Sequence, residues 1–599
     1  MASTPQAHEA VTRDQLAQWG HDPANLLQIL IGIQQRFSHI PAPAVATLGD
    51  ALGLSPAHIE GVIGFYSFLH STPQGRFQLL FSDNIVDRML GSRALAARLA
   101  EQLGVEIGTP SERVGIGFTS CTGMGDQGPA ALVNGLALTR LDEGRIDRIA
   151  QQISDATELS DWPAELFRVE DNVRRRDRLL DTPYEPGAAL RAMSRAGVDG
   201  VLDELARSGL KGRGGAGFAT HLKWRLCRDA PGAEHIVVCN ADEGEPGTFK
   251  DRLLLQRHAG QLIEGMTLCA AVIGARRGLI YLRGEYRCLL DGLREALHRR
   301  REAGLLGGTI LGQAGFDFDI RIHLGAGAYI CGEESALIES LEGKRGIPRS
   351  RPPFPVSHGY LGHPTVVNNV ETFVAAAMIA QQGADWFLAS GTKDSPGTKL
   401  LSVSGDCPRP GIYEYPFGTP IERVLADCGA EDTQAVQVAG AAGICVPPRE
   451  FGRSIAFEEI PTGGSFMIFN RGRNLLDAIH NFSGFFAHES CGFCTPCRVG
   501  TTLLHNRLGK VLERNATRED ITTLRRLADL LRGTSHCGLG QSAPNALLSL
   551  LKKFPGTFIG RHLRSTSFEP AFDLDAALEE ARQLARRDDP GAHLEGGGV

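Results

Sequence analysis

Four cysteines in the C-terminal part of the chain have the spacing of an iron-sulfur site. Cys491, Cys494 and Cys497 are separated by two residues each. Cys537 follows after a polar, helix-forming stretch. A tight loop of three cysteines reaches three irons of a cubane cluster, and a remote thiolate binds the fourth iron. Zinc or disulfide chemistry is the alternative, although zinc ribbons usually pair two Cys-x-x-Cys motifs. The spacing therefore predicts an electron carrier.

Two glycine-rich loops could bind phosphate groups. The first, residues 212–218, precedes a helical pattern at 220–226, and the second, residues 325–329, lies between a strand pattern and a helix near Glu333. Glycines at a helix N-terminus let backbone amides approach a phosphate, and Lys223 would add a positive charge. One such loop is weak support, with a flexible turn as an equal alternative. Two loops indicate two nucleotides, or one flavin and one nicotinamide dinucleotide.

An acidic loop at residues 240–247 comes directly after an apolar strand pattern and contains three carboxylates. They could bind a metal or form a solvated turn. Ribose hydroxyls and flavin N–H groups also require such acceptors. Loops at the ends of parallel strands are where ligands bind, so a ligand site is favoured. The segment 367–372 adds amide side chains that both donate and accept hydrogen bonds.

Composition excludes several classes of protein. With 599 residues and a formal net charge of -7, we expect several domains and no nucleic-acid partner. The 13 cysteines are mostly isolated, which favours reduced thiols in a cytoplasmic protein. Residues 1–14 lack the pattern of a signal peptide. No apolar run approaches the roughly 20 residues needed to span a membrane.

The elements that must position these residues follow from periodicity. Residues 12–68 show a helical pattern, and a small α/β unit follows, with strands at 77–81 and 114–118 and helices at 94–103 and 130–136. Residues 155–186 have the composition of a connector. Strands alternate with helices at 187–389, which predicts a mostly parallel sheet with its ligand at the strand carboxyl ends. A strand-rich module at 399–469 precedes a final helical region.

Six segments in order resemble the NADH-oxidising flavoprotein subunit of respiratory complex I: residues 212–218, 240–252, 325–343, 351–355, 366–372 and the four cysteines. The likeness covers about residues 198–554. The N-terminal part is similar to the thioredoxin-like subunit of the same complex. The fusion of the two parts resembles the large diaphorase subunit of the cytoplasmic NAD-reducing nickel-iron hydrogenase.

The resemblance implies an α/β multidomain fold with an N-terminal helical bundle, a thioredoxin-like domain, a Rossmann-like domain, a small ubiquitin-like β-grasp module and a C-terminal helical bundle that carries the cluster. The expected bounds are 1–70 for the first bundle, 71–155 for the thioredoxin-like domain, 165–395 for the FMN and NAD(H) domain, 396–472 for the module, 473–575 for the iron-sulfur domain and 576–599 for a tail.

The resemblance also implies site residues. It places FMN against Gly212, Arg213, Gly214, Lys223, Asn240, Asp242, Asn368, Asn369 and Thr372. It places NAD(H) against Phe218, Glu243, Glu245, Glu334 and Phe354. Further cofactor contacts are expected at Gly215, Gly217, Tyr329, Gly332, Glu333 and Val367. Catalytic roles are expected for Glu243, Glu245 and Glu334, and one 4Fe-4S cluster is expected on Cys491, Cys494, Cys497 and Cys537.

The sequence departs from the complex I pattern in two regions. Leu226 and Arg351 stand where complex I tends to have Phe and Lys. At the positions that bind a two-iron cluster in the thioredoxin-like subunit, this chain has Ser82, Asp87, Cys121 and Gly125. One thiol cannot replace four, so we expect this domain to be a scaffold without its cluster and Cys121 to be an inert thiol.

The predicted function is hydride exchange between NAD(H) and FMN, with single electrons passed to the 4Fe-4S cluster, within a hydrogen:NAD+ oxidoreductase. The expected partners are a small iron-sulfur diaphorase subunit and nickel-iron hydrogenase subunits, since the chain lacks the paired Cys-x-x-Cys motifs of a nickel-iron centre. The alternatives are the flavoprotein of an NAD-dependent formate dehydrogenase or of complex I, and a non-catalytic electron-relay scaffold.

Overall fold

A computed structural model describes residues 4–558 and 574–586 of the chain. The end of the predicted iron-sulfur domain, 559–573, and most of the predicted tail, 587–599, lie outside the described residues. Within the described ranges, no helix is long and apolar enough to cross a membrane.

Four helices at the N-terminus pack against the nucleotide-binding part of the chain. The amide of Gln28 donates to the Leu324 carbonyl at 2.8 Å and accepts from the Leu324 N–H at 3.1 Å. The apolar face of α2 points inward, since Leu26, Ile29 and Ile33 are fully buried. The helices are α1 (Pro5–Trp19), α2 (Leu26–Phe37), α3 (Ala42–Leu52) and α4 (Pro56–Ile63).

A small α/β unit follows, with a four-stranded sheet in the order β2-β1-β3-β4. Its elements are β1 (Phe77–Ser82), α5 (Ile85–Met89), α6 (Ser92–Leu103), β2 (Val114–Thr119), β3 (Ala131–Val133), β4 (Leu136–Leu138) and α7 (Glu143–Ser154). The predicted helix at 130–136 is wrong. Asn134 and Gly135 have φ of 47° and 82°, and an Asn-Gly pair with positive φ makes the tight turn of a hairpin.

The predicted connector also contains regular structure. It includes β5 (Val173–Arg175) and α8 (Arg178–Asp181). Strand β5 pairs in parallel with residues 412–413 of the later strand-rich module. The connector therefore joins the N-terminal units to the module by backbone hydrogen bonds.

The nucleotide domain has a four-stranded, fully parallel sheet in the order β8-β7-β6-β9. Its elements are α9 (Ala188–Ser208), α10 (Thr220–Asp229), β6 (Ile236–Ala241), α11 (Lys250–Arg257), α12 (Ala259–Ile273), β7 (Arg277–Leu282), α13 (Leu290–Glu302), β8 (Asp319–Leu324), α14 (Glu334–Leu341), α15 (Pro355–His358), β9 (Thr365–Asn369), α16 (Val370–Gln382) and α17 (Ala384–Leu388). Strand β6, one of the two inner strands, is apolar and buried on both faces from Ile236 to Cys239, as expected for a covered parallel sheet. The predicted sheet is confirmed.

The strand-rich module contributes to a six-stranded mixed sheet in the order β14-β13-β16-β10-β11-β5. Its elements are β10 (Thr398–Gly405), β11 (Gly411–Pro416), β12 (Thr419–Pro420), α18 (Ile421–Cys428), β13 (Thr433–Val438), β14 (Ile444–Val446), β15 (Ser454–Ile455) and β16 (Ser465–Asn470). Its ubiquitin-like description stays a prediction.

The C-terminal region is helical. Its helices are α19 (Leu475–Glu489), α20 (Thr495–Leu512), α21 (Arg518–Thr534), α22 (Gly538–Ser542), α23 (Asn545–Lys553) and α24 (Leu574–Ala585). Buried residues of α19, α20 and α23 belong to one apolar core that also includes α2 and part of the nucleotide domain. This shared core fixes the C-terminal helices beside the carboxyl edge of the parallel sheet.

Candidate functional site

The carboxyl edge of the parallel sheet opens into a cleft of ≈ 610 Å³, a volume that suits a nucleotide-sized ligand. Predicted site residues that line it are Gly214, Gly215, Asn240, Asp242, Glu243, Glu245, Tyr329, Gly332, Glu333 and Asn369. The other predicted residues are not part of its lining: Gly212, Arg213, Gly217, Phe218, Lys223, Glu334, Phe354, Val367, Asn368 and Thr372.

Other domains complete the cleft with residues that sequence reasoning missed. The module contributes residues 438–439, 442–444 and 461–463, and the cluster region contributes Gly538, Leu539, Ser542 and Asn545. Two signals could have found them: the Thr462-Gly463-Gly464 turn, and the position of Gly538 directly after Cys537. Lys250 and Asp251 also line the cleft.

Asp242 provides an acceptor for a ligand. Its Oδ2 atom is buried and has no hydrogen-bond partner in the described part of the chain. Burial raises the pKa of this carboxyl well above its ordinary value. An unpaired buried oxygen is costly, and a flavin or ribose donor in the cleft would satisfy it. The neighbouring Asn240 amide donates to the Gly332 carbonyl at 2.8 Å and fixes the two loops together. These residues fit a bound FMN.

Glu243 is held from three sides. Its carboxylate accepts from the Asp251 N–H at 2.8 Å, the Arg252 N–H at 3.1 Å and the Tyr286 hydroxyl at 2.7 Å. The first two donors are backbone N–H groups of the first turn of α11, which have no acceptor within the helix. Burial raises the pKa of Glu243 to about 7. Glu243 therefore anchors α11 to the acidic loop, and its role in nicotinamide chemistry stays a prediction.

Glu245 connects three parts of the chain. Its carboxylate accepts from the Tyr329 hydroxyl at 2.6 Å and from the Ala442 N–H at 2.9 Å. Burial raises its pKa to about 7. Because Ala442 belongs to the module, this side chain positions the acidic loop against both neighbouring walls of the cleft.

Buried cations lie under the first glycine-rich loop. Lys250 Nζ is 2.6 Å from Asp251 Oδ1, 3.1 Å from Glu371 Oε2 and 3.3 Å from Asn369 Oδ1. Lys399 Nζ donates to the Arg213 carbonyl at 3.1 Å, and burial lowers the pKa of Lys399 to about 7. Lys250 lines the cleft, where the two carboxylates balance its charge and it holds Asp251 and Asn369 in place.

Several predicted contacts support the loop from behind. The Arg213 guanidinium lies 4.7 Å from the Phe417 ring centre and donates to the Pro396 carbonyl at 3.0 Å, away from the cleft. The Arg213 N–H donates to the Thr372 hydroxyl at 2.9 Å. The Trp224 indole donates to the Asn368 side chain at 2.9 Å. These groups hold the loop shape.

Lys223 and Glu334 form an ion pair beside the cleft. Lys223 Nζ is 2.9 Å from Glu334 Oε2 and also donates to the Val367 carbonyl at 3.1 Å. Arg351 lies 3.4 Å from Glu333. Phe218 and Phe354 are 47% and 51% exposed, so their rings are accessible to a ligand from solvent. The dinucleotide roles predicted for these residues stay predictions.

The glycines of the second loop have a different role from the one their pattern suggests. Backbone N–H groups of Ser67 and Phe68 donate to the carbonyls of Gly327 and Ala326 at 3.2 and 3.0 Å. A Cβ atom on Gly327 would lie 2.7 Å from the Ser67 hydroxyl, and its φ is +77°. Gly327 therefore admits the N-terminal helical unit, whereas Gly325 lies against the Tyr281 side chain. The end of the loop, from Tyr329, reaches the cleft.

The four cysteines meet around a small cavity. Cys491, Cys494, Cys497 and Cys537 line it together with Ile330 and Leu539. Within the described ranges, no three or more His, Cys, Asp or Glu side chains are arranged to hold a single metal ion. The four thiols surround a cavity and do not converge on a single point. This arrangement fits a multi-iron cluster better than one zinc ion. Helix α20 follows Cys494, so its N-terminal amides favour an anionic thiolate cage.

The cleft and the cysteine cavity are neighbours. Ile330 and Leu539 line both of them. Glu489, two residues before the first cluster cysteine, accepts from the Tyr329 N–H at 3.0 Å and from the Ser120 hydroxyl at 2.6 Å. The approach to the cluster is therefore tied to the cleft wall and to the N-terminal α/β unit.

The positions of a two-iron cluster in that unit form a closed hydrogen-bond network. Ser82 donates to Asp87 Oδ2 at 2.6 Å, and the Asn84 amide donates to Asp87 Oδ2 at 2.7 Å and to Cys121 Sγ at 3.2 Å. Gly125 lies against the Phe249 ring. One buried thiol, a satisfied hydroxyl and a hydrogen-bonded carboxyl do not fit a two-iron cluster.

Replacing Cys121 by Ala is expected to leave the iron content unchanged, because the thiol has no partner thiols at the cluster positions. Iron analysis and electron paramagnetic resonance of the purified variant measure this. A two-iron signal in the wild type that is lost in Cys121→Ala would show that the unit binds a cluster.

The parallel sheet, the cleft and the adjacent cysteine cavity define a flavin-dependent iron-sulfur electron-transfer protein. Family models match in three places: the Nuo51 FMN-binding domain at 205–378, the NADH-ubiquinone oxidoreductase-F iron-sulfur binding region at 477–561, and the thioredoxin-like [2Fe-2S] ferredoxin at 12–154. The third match concerns the fold of the domain, because the residues at its cluster-binding positions do not fit a two-iron cluster.

The NAD-reducing hydrogenase HoxS subunit alpha of Cupriavidus necator is 44% identical over 586 residues, which cover 94% of this chain and 96% of the relative. An NADH-quinone oxidoreductase subunit of Escherichia coli is 42% identical over 384 residues, covering 62% of this chain and 86% of the relative. A crystal structure of an NAD+-reducing [NiFe]-hydrogenase in the H2-reduced state matches with a TM-score of 0.87 and 44% identity, over 96% of this chain and 99% of that chain. The chain belongs to the family of alpha subunits of NAD-reducing hydrogenases, which confirms the resemblance.

Proposed function

We propose that this chain is the diaphorase subunit of a hydrogen:NAD+ oxidoreductase, which exchanges hydride between NAD(H) and FMN and passes single electrons to a 4Fe-4S cluster. The observation that carries the proposal is that Ile330 and Leu539 line both the cleft and the cysteine cavity. A flavin in the cleft would therefore be one side chain away from the cluster.

Bound FMN supplies the chemistry of accepting two electrons together and releasing them one at a time. The chain positions the reactants. Asp242 offers a buried acceptor, Lys250 holds Asp251 and Glu371 at the cleft, and Glu245 fixes the acidic loop between the walls. The cluster thiolates, Cys491, Cys494, Cys497 and Cys537, hold the cluster next to the cleft.

The proposed partners are a small iron-sulfur diaphorase subunit and nickel-iron hydrogenase subunits. Support comes from the near full-length match to the Cupriavidus necator hydrogenase subunit. The NADH-quinone oxidoreductase relative aligns with a smaller part of the chain, which disfavours the complex I alternative. A cytoplasmic location stays a prediction from the sequence.

The proposal is tested by NADH oxidation. Protein reconstituted with FMN and iron-sulfide is expected to reduce ferricyanide with NADH. The absence of turnover in folded, FMN-loaded protein would favour a non-catalytic scaffold, which is the alternative function.

Replacing Glu245 by Gln is expected to weaken NADH turnover more than flavin retention, because the carboxylate positions the loop predicted to face the dinucleotide. Loss of one hydrogen bond to a charged group costs about 1.5 to 3 kcal/mol, which corresponds to a decrease of about 10- to 150-fold in kcat/KM. Flavin content is measured in the same preparation. Equal loss of flavin and turnover would contradict the assignment.

Glu245→Gln is also expected to change the pH dependence of stability. Burial raises the pKa of Glu245 from 4.5 to about 7, so between these values the folded chain keeps a proton that the unfolded chain has lost. Wild-type stability therefore falls as pH rises through this window, and the neutral Gln avoids a loss of about 3 kcal/mol. Chemical unfolding of the nucleotide-free proteins at pH 5 and pH 8 measures the difference. If the difference in free energy of unfolding between Glu245→Gln and the wild type is the same at pH 5 and at pH 8, this prediction is wrong.

A further inference from the structure

The turn that follows β10 places two thiols side by side. Cys407 is half-buried in the turn, and Cys428 is buried at the C-terminal end of α18. The Arg409 N–H donates to the Cys428 carbonyl at 3.3 Å, so the turn and the helix end are in direct contact. The Pro408 ring lies 3.6 Å from the position that a Cβ atom on Gly429 would occupy, so the residues that follow the two cysteines pack against each other. Each thiol also affects the other, since contact with Cys428 raises the pKa of Cys407 and contact with Cys407 lowers the pKa of Cys428.

A hydrogen bond of Cys428 and the backbone of the turn restrict the positions of the two thiols. The Cys428 S–H donates to the Leu425 carbonyl at 3.3 Å. Proline residues on both sides of Arg409 restrict the backbone of the turn. A half-buried thiol is thus held next to a buried thiol, so that oxidation of one sulfur can be resolved by the other.

We propose that Cys407 and Cys428 form a reversible disulfide when the protein meets hydrogen peroxide. One thiol of the pair loses its proton and takes one oxygen atom from peroxide, which gives a sulfenic acid and, with that proton, one water molecule. The other sulfur then attacks the sulfenic acid sulfur, the S–S bond forms and a second water molecule leaves. Two thiols lose two hydrogen atoms in total, and one peroxide is reduced to two water molecules.

The disulfide would act on the joint between the module and the cluster region. Asp406, next to Cys407, lies 2.8 Å from Arg473 Nη2 and accepts from the Asn470 N–H at 3.0 Å. Arg473 comes two residues before α19. A covalent bond from the turn to α18 fixes the residues that hold the start of the cluster region, and it needs no flavin or cluster chemistry.

Peptide mapping of the purified, cofactor-loaded full chain tests the proposal. The protein is treated with a small excess of hydrogen peroxide, alkylated with iodoacetamide and digested without reductant. We expect a linked pair of peptides that contains Cys407 and Cys428, loss of both free thiols in equal amounts, and their recovery with dithiothreitol. Cluster cysteines lie in other peptides, so damage to the cluster is counted separately.

Two variants sharpen the test. Cys407→Ser should abolish the linked peptides and leave Cys428 open to alkylation after mild unfolding. Cys288→Ser removes another half-buried thiol and should leave the linkage unchanged. Irreversible oxidation of Cys407 while Cys428 stays reduced would overturn the proposal, as would linkage of either cysteine to a different thiol.

Discussion

Cys494→Ala is expected to lose the iron-sulfur cluster while the chain stays folded and keeps its flavin. Cys494 belongs to the four thiols around the small cavity and is the residue before α20. The three remaining thiolates leave one iron of a four-iron cubane without its protein ligand. We therefore expect iron to fall from about four atoms per chain to near zero, with loss of the paramagnetic signal of the reduced cluster.

Iron analysis, electron paramagnetic resonance and flavin content measure this effect. NADH should still reduce the flavin, whereas electron transfer to iron-sulfur partners should stop. Cys121→Ala is the matched control, because it removes a buried thiol outside the cavity. A Cys494→Ala protein that keeps four irons would refute the assignment of Cys494 as a ligand.

Asp126→Ala is expected to destabilise the contact between the N-terminal α/β unit and the nucleotide domain. Asp126 Oδ2 lies 2.8 Å from Arg252 Nη2, and both side chains are fully buried. The Arg252 guanidinium also donates to the Gly123 carbonyl at 2.8 Å. Removing the Asp126 carboxylate leaves the Arg252 guanidinium buried without a compensating charge, which lowers the free energy of unfolding by about 3 to 5 kcal/mol.

Urea unfolding and limited proteolysis of residues 155–172 measure the loss. Asp147→Ala is the control, since its ion pair with Arg98 is exposed and should contribute little. If Asp126→Ala lowers the free energy of unfolding as little as Asp147→Ala does, the Asp126–Arg252 pair does not hold the two units together.

Local patterns allowed the sequence to predict much of the fold. Strands β6 and β7 contain short apolar runs, and β8 alternates polar and apolar residues. The spacing of the Cys-x-x-Cys-x-x-Cys loop indicates its chemistry. The hairpin at Asn134-Gly135 had a local signal too, but the apolar residues around it fitted a helix equally well. Its misassignment reflects the ambiguity of short apolar runs.

Features that depend on distant contacts could not be predicted. Strand β5 is short and polar, and it exists because residues 412–413 offer a free edge far along the chain. Gly325 and Gly327 had a phosphate-binding pattern, yet the small size of Gly327 serves the approach of Ser67 and Phe68. The contribution of the module to the cleft walls could not be predicted either, because sequence spacing does not show which domains contact each other.

The wide separation of the cleft residues along the chain affects how the protein is made. Lining residues run from Gly214 to Asn545, so a ribosome that adds about 5 to 20 residues per second needs roughly 15 to 70 seconds between the first wall and the last. During that interval the nascent chain has the glycine-rich loop but no closed pocket. Stable flavin insertion must therefore follow the synthesis of the cluster cysteines, and a chain truncated before them leaves the ribosome without its cofactor.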